Sequence, residues 1–339
     1  MTVYIGLAVF ILLLYILSNA TTNEHHKKLF WWLGCLAMLL VIGLRSYHTG
    51  SDTIQYVRQF ISLQTTEWDL VRPTKDYGYT YYVKLVSEFT DSPTIFLLIT
   101  GFLSCIGIWD LIQRNSSKPL LALFFYITIG NFFFILTGMR QAIAMSFCML
   151  ALRYVQERKL IPFAFWILLA AQFHHSAYIF AVMYVLGVRK VNFVSMAINI
   201  GVTVAAYFSY ESLLNVVNEV LDYNYGVEEL DNGGVFFAVL LVIVALALYT
   251  KKIWMKDRHT TVIMNSGIIC AIIWVFRLIG RTAERPSMYW LNTIPVLLTE
   301  SIDSFENKND RFLIEMGAIV LTFLLFVRRV GSLDYAFCF

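Results

Sequence analysis

Four short stretches carry most of the residues able to do chemistry in an otherwise apolar chain. The first, Arg45 to Tyr56, reads R-S-Y-H-T-G-S-D-T-I-Q-Y and holds Arg45, Asp52 and Tyr56. The second is Thr137-Gly138-Met139-Arg140-Gln141, and the third is Phe173-His174-His175-Ser176. The fourth runs from Arg277 to Tyr289 and includes Arg281 and Arg285. The planar fork of arginine matches phosphate and carboxylate oxygens two at a time. An unperturbed imidazole titrates at about pH 6.5, so neutral histidine is available as a base. These residue types suit a polyanionic lipid head group such as a pyrophosphate, together with removal of a hydroxyl proton.

Each stretch also has a plainer reading. Arg45 and Asp52 can pair with each other as a loop clamp, since ionisable groups at a membrane often do so. Arg140 can snorkel to the interface, although Thr137-Gly138 before it and Gln141 after it add polar groups that snorkelling does not need. Adjacent histidines on a helix point about 100° apart, so only one of His174 and His175 is expected to serve a site. Arg277 and Arg281 share a helix face with Glu284, which neutralises one of them. Three arginines against one glutamate leave positive charge for a ligand. Arg285 precedes Pro286, which ends one helix or starts the next. Asp76, Glu88 and the acidic residues of 210–234 read as solvated, with no chemistry assigned. There is no H-E-x-x-H or C-x-x-C spacing, so no metal site is expected. The cysteines Cys35, Cys105, Cys148 and Cys270 lie within apolar runs and read as packing residues.

The elements that position these residues are membrane helices. The 339 residues are 58% hydrophobic and only 14% charged, with mean hydropathy +0.66, where a soluble domain carries about 25% charge. A net charge of +3 is too small to imply a nucleic-acid partner. Apolar runs occur at 2–18, 29–44, 94–112, 119–136, 141–155, 193–209, 235–250, 260–281 and 312–327, with 286–300 as a less apolar addition. The start, Met1 to Leu17, lacks a basic segment and a cleavage site and is expected to be a retained helix. The stretch 160–188 is interrupted by His174-His175 and is expected to form two short helices in a hairpin. Placing the basic loops at Lys27-Lys28, Arg114 with Lys118, Arg158-Lys159, Arg189-Lys190 and Lys251 to Arg258 on the inside gives about twelve spans with both termini outside. The long segment 45–92 then lies outside, with Tyr77 to Phe89 as a helix at the interface. The expectation is a single all-α polytopic domain over 1–339, with all four stretches near its outer face.

The motifs Gly43-Leu44-Arg45 with Gly50-Ser51-Asp52 and Tyr56, Asp76-Tyr77-Gly78-Tyr79, Gly138-Met139-Arg140-Gln141-Ala142-Ile143-Ala144, Phe173-His174-His175-Ser176-Ala177 and Glu284-Arg285-Pro286-Ser287-Met288-Tyr289 together resemble the EpsG family of Wzy-like polysaccharide polymerases. In that pattern the histidine lies two residues before the serine, which selects His174. The resemblance implies a glycosyltransferase of the bacterial inner membrane, acting at the periplasmic face in O-antigen, capsule or exopolysaccharide synthesis. Its donor and acceptor would both be undecaprenyl-pyrophosphate-linked oligosaccharides that enter from membrane lipid, and a chain-length regulator is a further partner to look for. The catalytic residues implied are His174, Arg140 and Asp52. Binding of substrate and pyrophosphate falls to Arg45, Tyr56, Gln141, Arg277, Arg281, Arg285 and Tyr289, with no metal and no cofactor. A ligase moving finished glycan has nearly the same chemistry, but ligases of that kind tend to have a larger outer loop than 210–234. A flippase needs a polar path across the membrane, and the charges here gather at one face. A serine acyltransferase or protease reading of His174 and Ser176 suffers because i, i+2 side chains on a helix face apart.

Overall fold

The computed structural model describes the chain apart from residues 74–75, 210–211, 213–214, 217–218, 220–232, 279, 281–283, 332–333 and 339. Among the described residues the regular structure is helical, with one isolated antiparallel bridge between Arg45 and Phe337. Helices α1 (Thr2–Ala20) and α2 (Glu24–Gly43) meet at a turn where the Asn23 side chain accepts the His25 N–H at 2.9 Å. This cap satisfies one of the backbone donors that every helix start leaves open. The next segment contains two amphipathic helices, α3 (Thr53–Gln64) and α4 (Tyr77–Phe89), which pack on each other. The bounds of α4 are those expected from the sequence, whereas α3 occupies a stretch expected to be loop.

Helices α5 (Pro93–Asn115) and α6 (Pro119–Thr128) both open on proline, where the missing N–H costs no hydrogen bond. After α6 the chain bends by 62° into α7 (Asn131–Thr137). Gly130 makes the bend at φ 105°, a conformation that residues with a Cβ rarely adopt. Helix α8 (Met139–Glu157) is the centre of the bundle, with 14 of its 19 residues buried against α5, α9 (Leu160–Phe173) and their neighbours. The Ser146 hydroxyl on α8 accepts the Gly107 N–H of α5 at 2.9 Å, the close helix contact that small residues allow in membranes. Arg158 then takes a left-handed conformation, φ 59°, and the Lys159 N–H bonds back to the Tyr154 carbonyl at 2.9 Å. That is how α8 stops and α9 turns back.

The hairpin expected over 160–188 is present. Helix α9 ends at Phe173, His174 is extended, and a 3-10 segment His175–Val182 leads into α10 (Met183–Leu186). Among the described residues there follow α11 (Phe193–Phe208), α12 (Gly233–Trp254), α13 (Arg258–Arg277), α14 (Glu284–Leu291), α15 (Ile294–Asp303) and α16 (Lys308–Val330). Helix α11 buries no residue inside the protein.

Among the described residues five helices, α1, α2, α5, α12 and α13, have the length and composition of a membrane crossing, and α6 with α7 is a sixth if the bent pair is one span. The chain is therefore a multi-pass membrane protein. Helices such as α8, α9 and α16, which the sequence reading also counts as crossings, are shorter or more polar. Charged and polar side chains gather at two opposite ends of the bundle. One end collects the close of α2, the starts of α4, α8 and α14, and the break after α9. The other collects the close of α5 and α8 and the starts of α6, α13 and α16.

Candidate active site

Asp76 organises the first of these ends. The expectation that it is solvated is overturned, because it is 3% exposed and caps the start of α4. Gly78 makes this placement possible. A Cβ there would stand 2.5 Å from Gln172 Cβ and 3.0 Å from the Gln172 carbonyl, so only glycine lets the first turn of α4 press on the end of α9. The Asp76 carboxylate is thereby laid beside the break between α9 and the 3-10 segment.

Three side chains converge on that carboxylate. Arg140, in the first turn of α8, donates from Nη1 to Oδ2 at 2.7 Å. His174 places Nδ1 3.4 Å from the same oxygen. His175 donates its backbone N–H to Oδ1 at 3.2 Å and places Nδ1 3.3 Å from it. Burial pushes the Asp76 carboxyl up. Its contacts with His174, the charge of Arg140 and the bond from His175 outweigh that and hold it below the usual carboxylate range. The expectation that adjacent histidines cannot share a site fails for a geometric reason. The 100° separation belongs to an α-helix, whereas His174 has φ −157° and ψ 118° and leads into a 3-10 segment. The 3-10 run of 8 residues is longer than the usual length of about three or four. Among the described residues no group of three His, Cys, Asp or Glu is placed to hold a metal ion.

Several other expected residues border this centre. The Tyr56 ring lies 6.0 Å from the Arg140 guanidinium carbon and meets Tyr79 edge-on at 5.7 Å between ring centres. Gln141 donates from Nε2 to the Arg285 carbonyl at 2.7 Å, which ties the start of α8 to the start of α14. Ser176 and Tyr289 share a hydrogen bond of 2.9 Å between hydroxyls. The Ser176 hydroxyl is thus engaged with α14 rather than with His174. Arg277 donates from Nε to Glu284 Oε2 at 2.8 Å, the neutralising pair expected there. Arg285 is exposed, and its guanidinium meets no partner among the described residues. Arg281 lies outside the described residues, as does most of the acidic stretch 210–234.

Two expected residues are not brought to the centre. Arg45 is 1% exposed and donates to the Ile42 carbonyl, covered by the strand-like pairing of Ser46 N–H with the Ala336 carbonyl at 2.7 Å. Asp52 starts α3, where its backbone carbonyl accepts the Tyr56 N–H at 3.3 Å. No described bond joins Arg45 to Asp52, so the clamp between them is not formed. The residue that sequence reasoning missed is Asp76. Its place before a tyrosine-rich amphipathic helix was visible, but its partners lie 64 and 98 residues away.

The fold and this end of it define a multi-pass membrane protein with a buried carboxylate set among an arginine and two histidines. A family model, that of the EpsG family, matches residues 28–337, nearly the whole chain, and the chain belongs to that family. Membership points to a Wzy-like polysaccharide polymerase in the general sense, a glycosyltransferase-like membrane enzyme. No curated protein and no solved structure matches the chain.

Proposed function

We propose that this protein joins glycan repeat units carried on undecaprenyl pyrophosphate at the outer face of the bacterial inner membrane, in O-antigen, capsule or exopolysaccharide synthesis. The observation that carries the reading is the convergence of Arg140 and His174 on one buried carboxylate, in a chain of the EpsG family. The acceptor sugar hydroxyl attacks the anomeric carbon of the donor sugar. The bond from that carbon to the phosphate oxygen breaks, and its electron pair leaves with the pyrophosphate. Arg140, Arg281 and Arg285 hold the departing pyrophosphate, the electrostatic help that preorganised cations give a leaving anion. His174 takes the hydroxyl proton or orients the hydroxyl. Gln141 keeps the starts of α8 and α14 together.

In this reading the chain crosses the membrane about twelve times, with the short helices paired and the basic loops inside. Its site end then faces outward, so the lipid-linked substrates reach it sideways from the bilayer.

The test uses a host from which the gene has been deleted. Returning the gene should restore long surface glycan on a gel. In a Cys-free variant, a cysteine at Ser51 should label from outside and one at Lys256 only after the membrane is opened. Normal glycan length in the deletion host, or outside labelling at Lys256, would sink the reading.

A further inference from the structure

We propose that Asp76 is a positioning residue that holds His174 in the tautomer carrying its proton on Nδ1, leaving the Nε2 lone pair to take the acceptor hydroxyl proton. The proposal rests on the polymerase reading only for the identity of that hydroxyl.

An ionised carboxylate accepts hydrogen bonds and cannot donate them. With Asp76 Oδ2 3.4 Å from His174 Nδ1, a proton on Nδ1 makes an attractive contact, and a lone pair there would face the oxygen with another lone pair. The remaining contacts keep Asp76 from turning away. Oδ2 is fixed by Arg140 at 2.7 Å, Oδ1 by the His175 backbone N–H at 3.2 Å, and the side chain is only 4% exposed. His174 is held as well, through its N–H on the Ala170 carbonyl at 3.0 Å and its own carbonyl on the Ala177 N–H at 3.0 Å. Its side chain is 14% exposed, against 42% for His175, so His174 is the more enclosed base.

The proton balance is simple. The hydroxyl proton passes to His174 Nε2 as the new glycosidic bond forms, and the Asp76 carboxylate offsets the imidazolium charge without taking the proton itself. The imidazolium then returns the proton to the departing pyrophosphate.

Asp76→Asn separates this role from a purely structural one. Asparagine is isosteric but uncharged, and Arg140 and His174 Nδ1 meet the same oxygen, Oδ2. A carbonyl placed there accepts from both but no longer offsets the imidazolium charge, whereas an amide placed there donates to Nδ1 and favours the other tautomer. The probe is the polyprenyl-linked glycan that accumulates in the host lacking this gene, given to the purified protein in detergent. Asp76→Asn should lower kcat by about 10²–10⁴, the worth of general-base help. KM should stay within about threefold, the mark of an interaction made in the transition state. A variant with kcat within about threefold of wild type would overturn the proposal.

A second measurement needs no Asp76 variant. Nitrogen-15 histidine spectra of the wild-type protein at about pH 8.5, well above the range where free imidazole is protonated, report which ring nitrogen bears the proton. His174→Gln assigns the signal. A proton on Nδ1 supports the proposal and a proton on Nε2 overturns it, and this decides the matter should Asp76→Asn not fold. Wild-type protein that elongates nothing while His174 shows the Nδ1 proton would remove the polymerase reading and leave the tautomer standing.

Discussion

The two ends of the bundle are both polar, and they differ in how their charges are balanced. At the end away from Asp76, Lys118 lies 2.7 Å from Glu315 and 3.1 Å from Asp303, and Tyr15 donates to Glu315 at 2.5 Å. Beside them Gln156 donates to Asn115 at 2.7 Å and meets His259 at 3.1 Å. Around Lys118 the acids outnumber the base, and the contacts tie α1, α6, α15 and α16, or α5, α8 and α13, to one another. Glu157 at this end meets Arg114, Arg153 and Lys159, but those side chains are 26%, 49% and 62% exposed, so water balances their charge. At the Asp76 end one carboxylate faces an arginine and two imidazoles, and Arg285 stands exposed nearby. A balanced cluster fastens helices. An unbalanced cluster, with too few acids and ring nitrogens left over, is where an anion and a proton can be handled. A cavity of about 400 Å³ lined by Lys27, Trp31 and Lys118 does open at the end away from Asp76. The charge balance is the better guide, because the Lys118 ammonium lining that cavity is already paired.

The strongest way to break this comparison is at the histidines. His174→Ala should cost about 10²–10⁴ in elongation rate if the imidazole acts as a base, and surface glycan should collapse to single repeat units. His175→Ala should cost less. Its backbone N–H, which the substitution leaves in place, still holds Asp76 Oδ1. Because both rings touch Asp76, His175 is a graded probe rather than a silent control. Equal losses in the two variants at equal membrane levels would mean that the pair only packs the break after α9.

Arg140 comes next in size. Losing a charge-assisted contact to phosphate costs about 1.5–3 kcal/mol, and every 1.4 kcal/mol or so is a factor of about ten. Arg140→Ala should therefore slow elongation roughly tenfold to a hundredfold. Arg140→Lys should recover only part of this, because an ammonium cannot donate as a fork. Wild-type chain length and rate from Arg140→Ala would reduce the Arg140–Asp76 pair to the kind of fastening seen at the other end.

Much of this is legible from residue order, and the failures share a cause. Apolar runs and proline positions locate most of the helices, Tyr77 to Phe89 has in the structure the bounds its pattern implies, and the histidine break shows as an interruption of the apolar run 160–188. The Arg277–Glu284 pair is legible because both residues belong to one local stretch. Burial of Asp76 is not, since it depends on Gly78 meeting Gln172. Nor is the sharing of Asp76 by both histidines, because it needs non-helical backbone at one residue. Sequence proximity misleads in the other direction for Arg45 and Asp52, where Arg45 folds back onto the Ile42 carbonyl at the close of α2 while Asp52 opens α3. Helix α3, as polar as it is apolar, carries too weak a signal to be separated from loop.

The smallest effect on activity is expected at Lys118, and it is the sharpest check on the idea that balance marks structure. Lys118→Met keeps the length of the side chain and removes its charge. Glu315, 14% exposed, and Asp303, 31% exposed, then lose their shared cation. Stranding a buried charge is costly, while exposed pairs contribute little, so this half-buried case should cost about 1–3 kcal/mol of stability. The thermal midpoint in detergent should fall, and Glu315→Gln added to Lys118→Met should regain part of the loss by removing one stranded charge. Elongation rate at a temperature where both proteins remain folded should stay within about twofold, since nothing at this end touches the reacting groups. If Lys118→Met were stable yet unable to extend glycan, the balanced end would belong to the reaction as well, and charge balance would no longer separate fastening from chemistry in this protein.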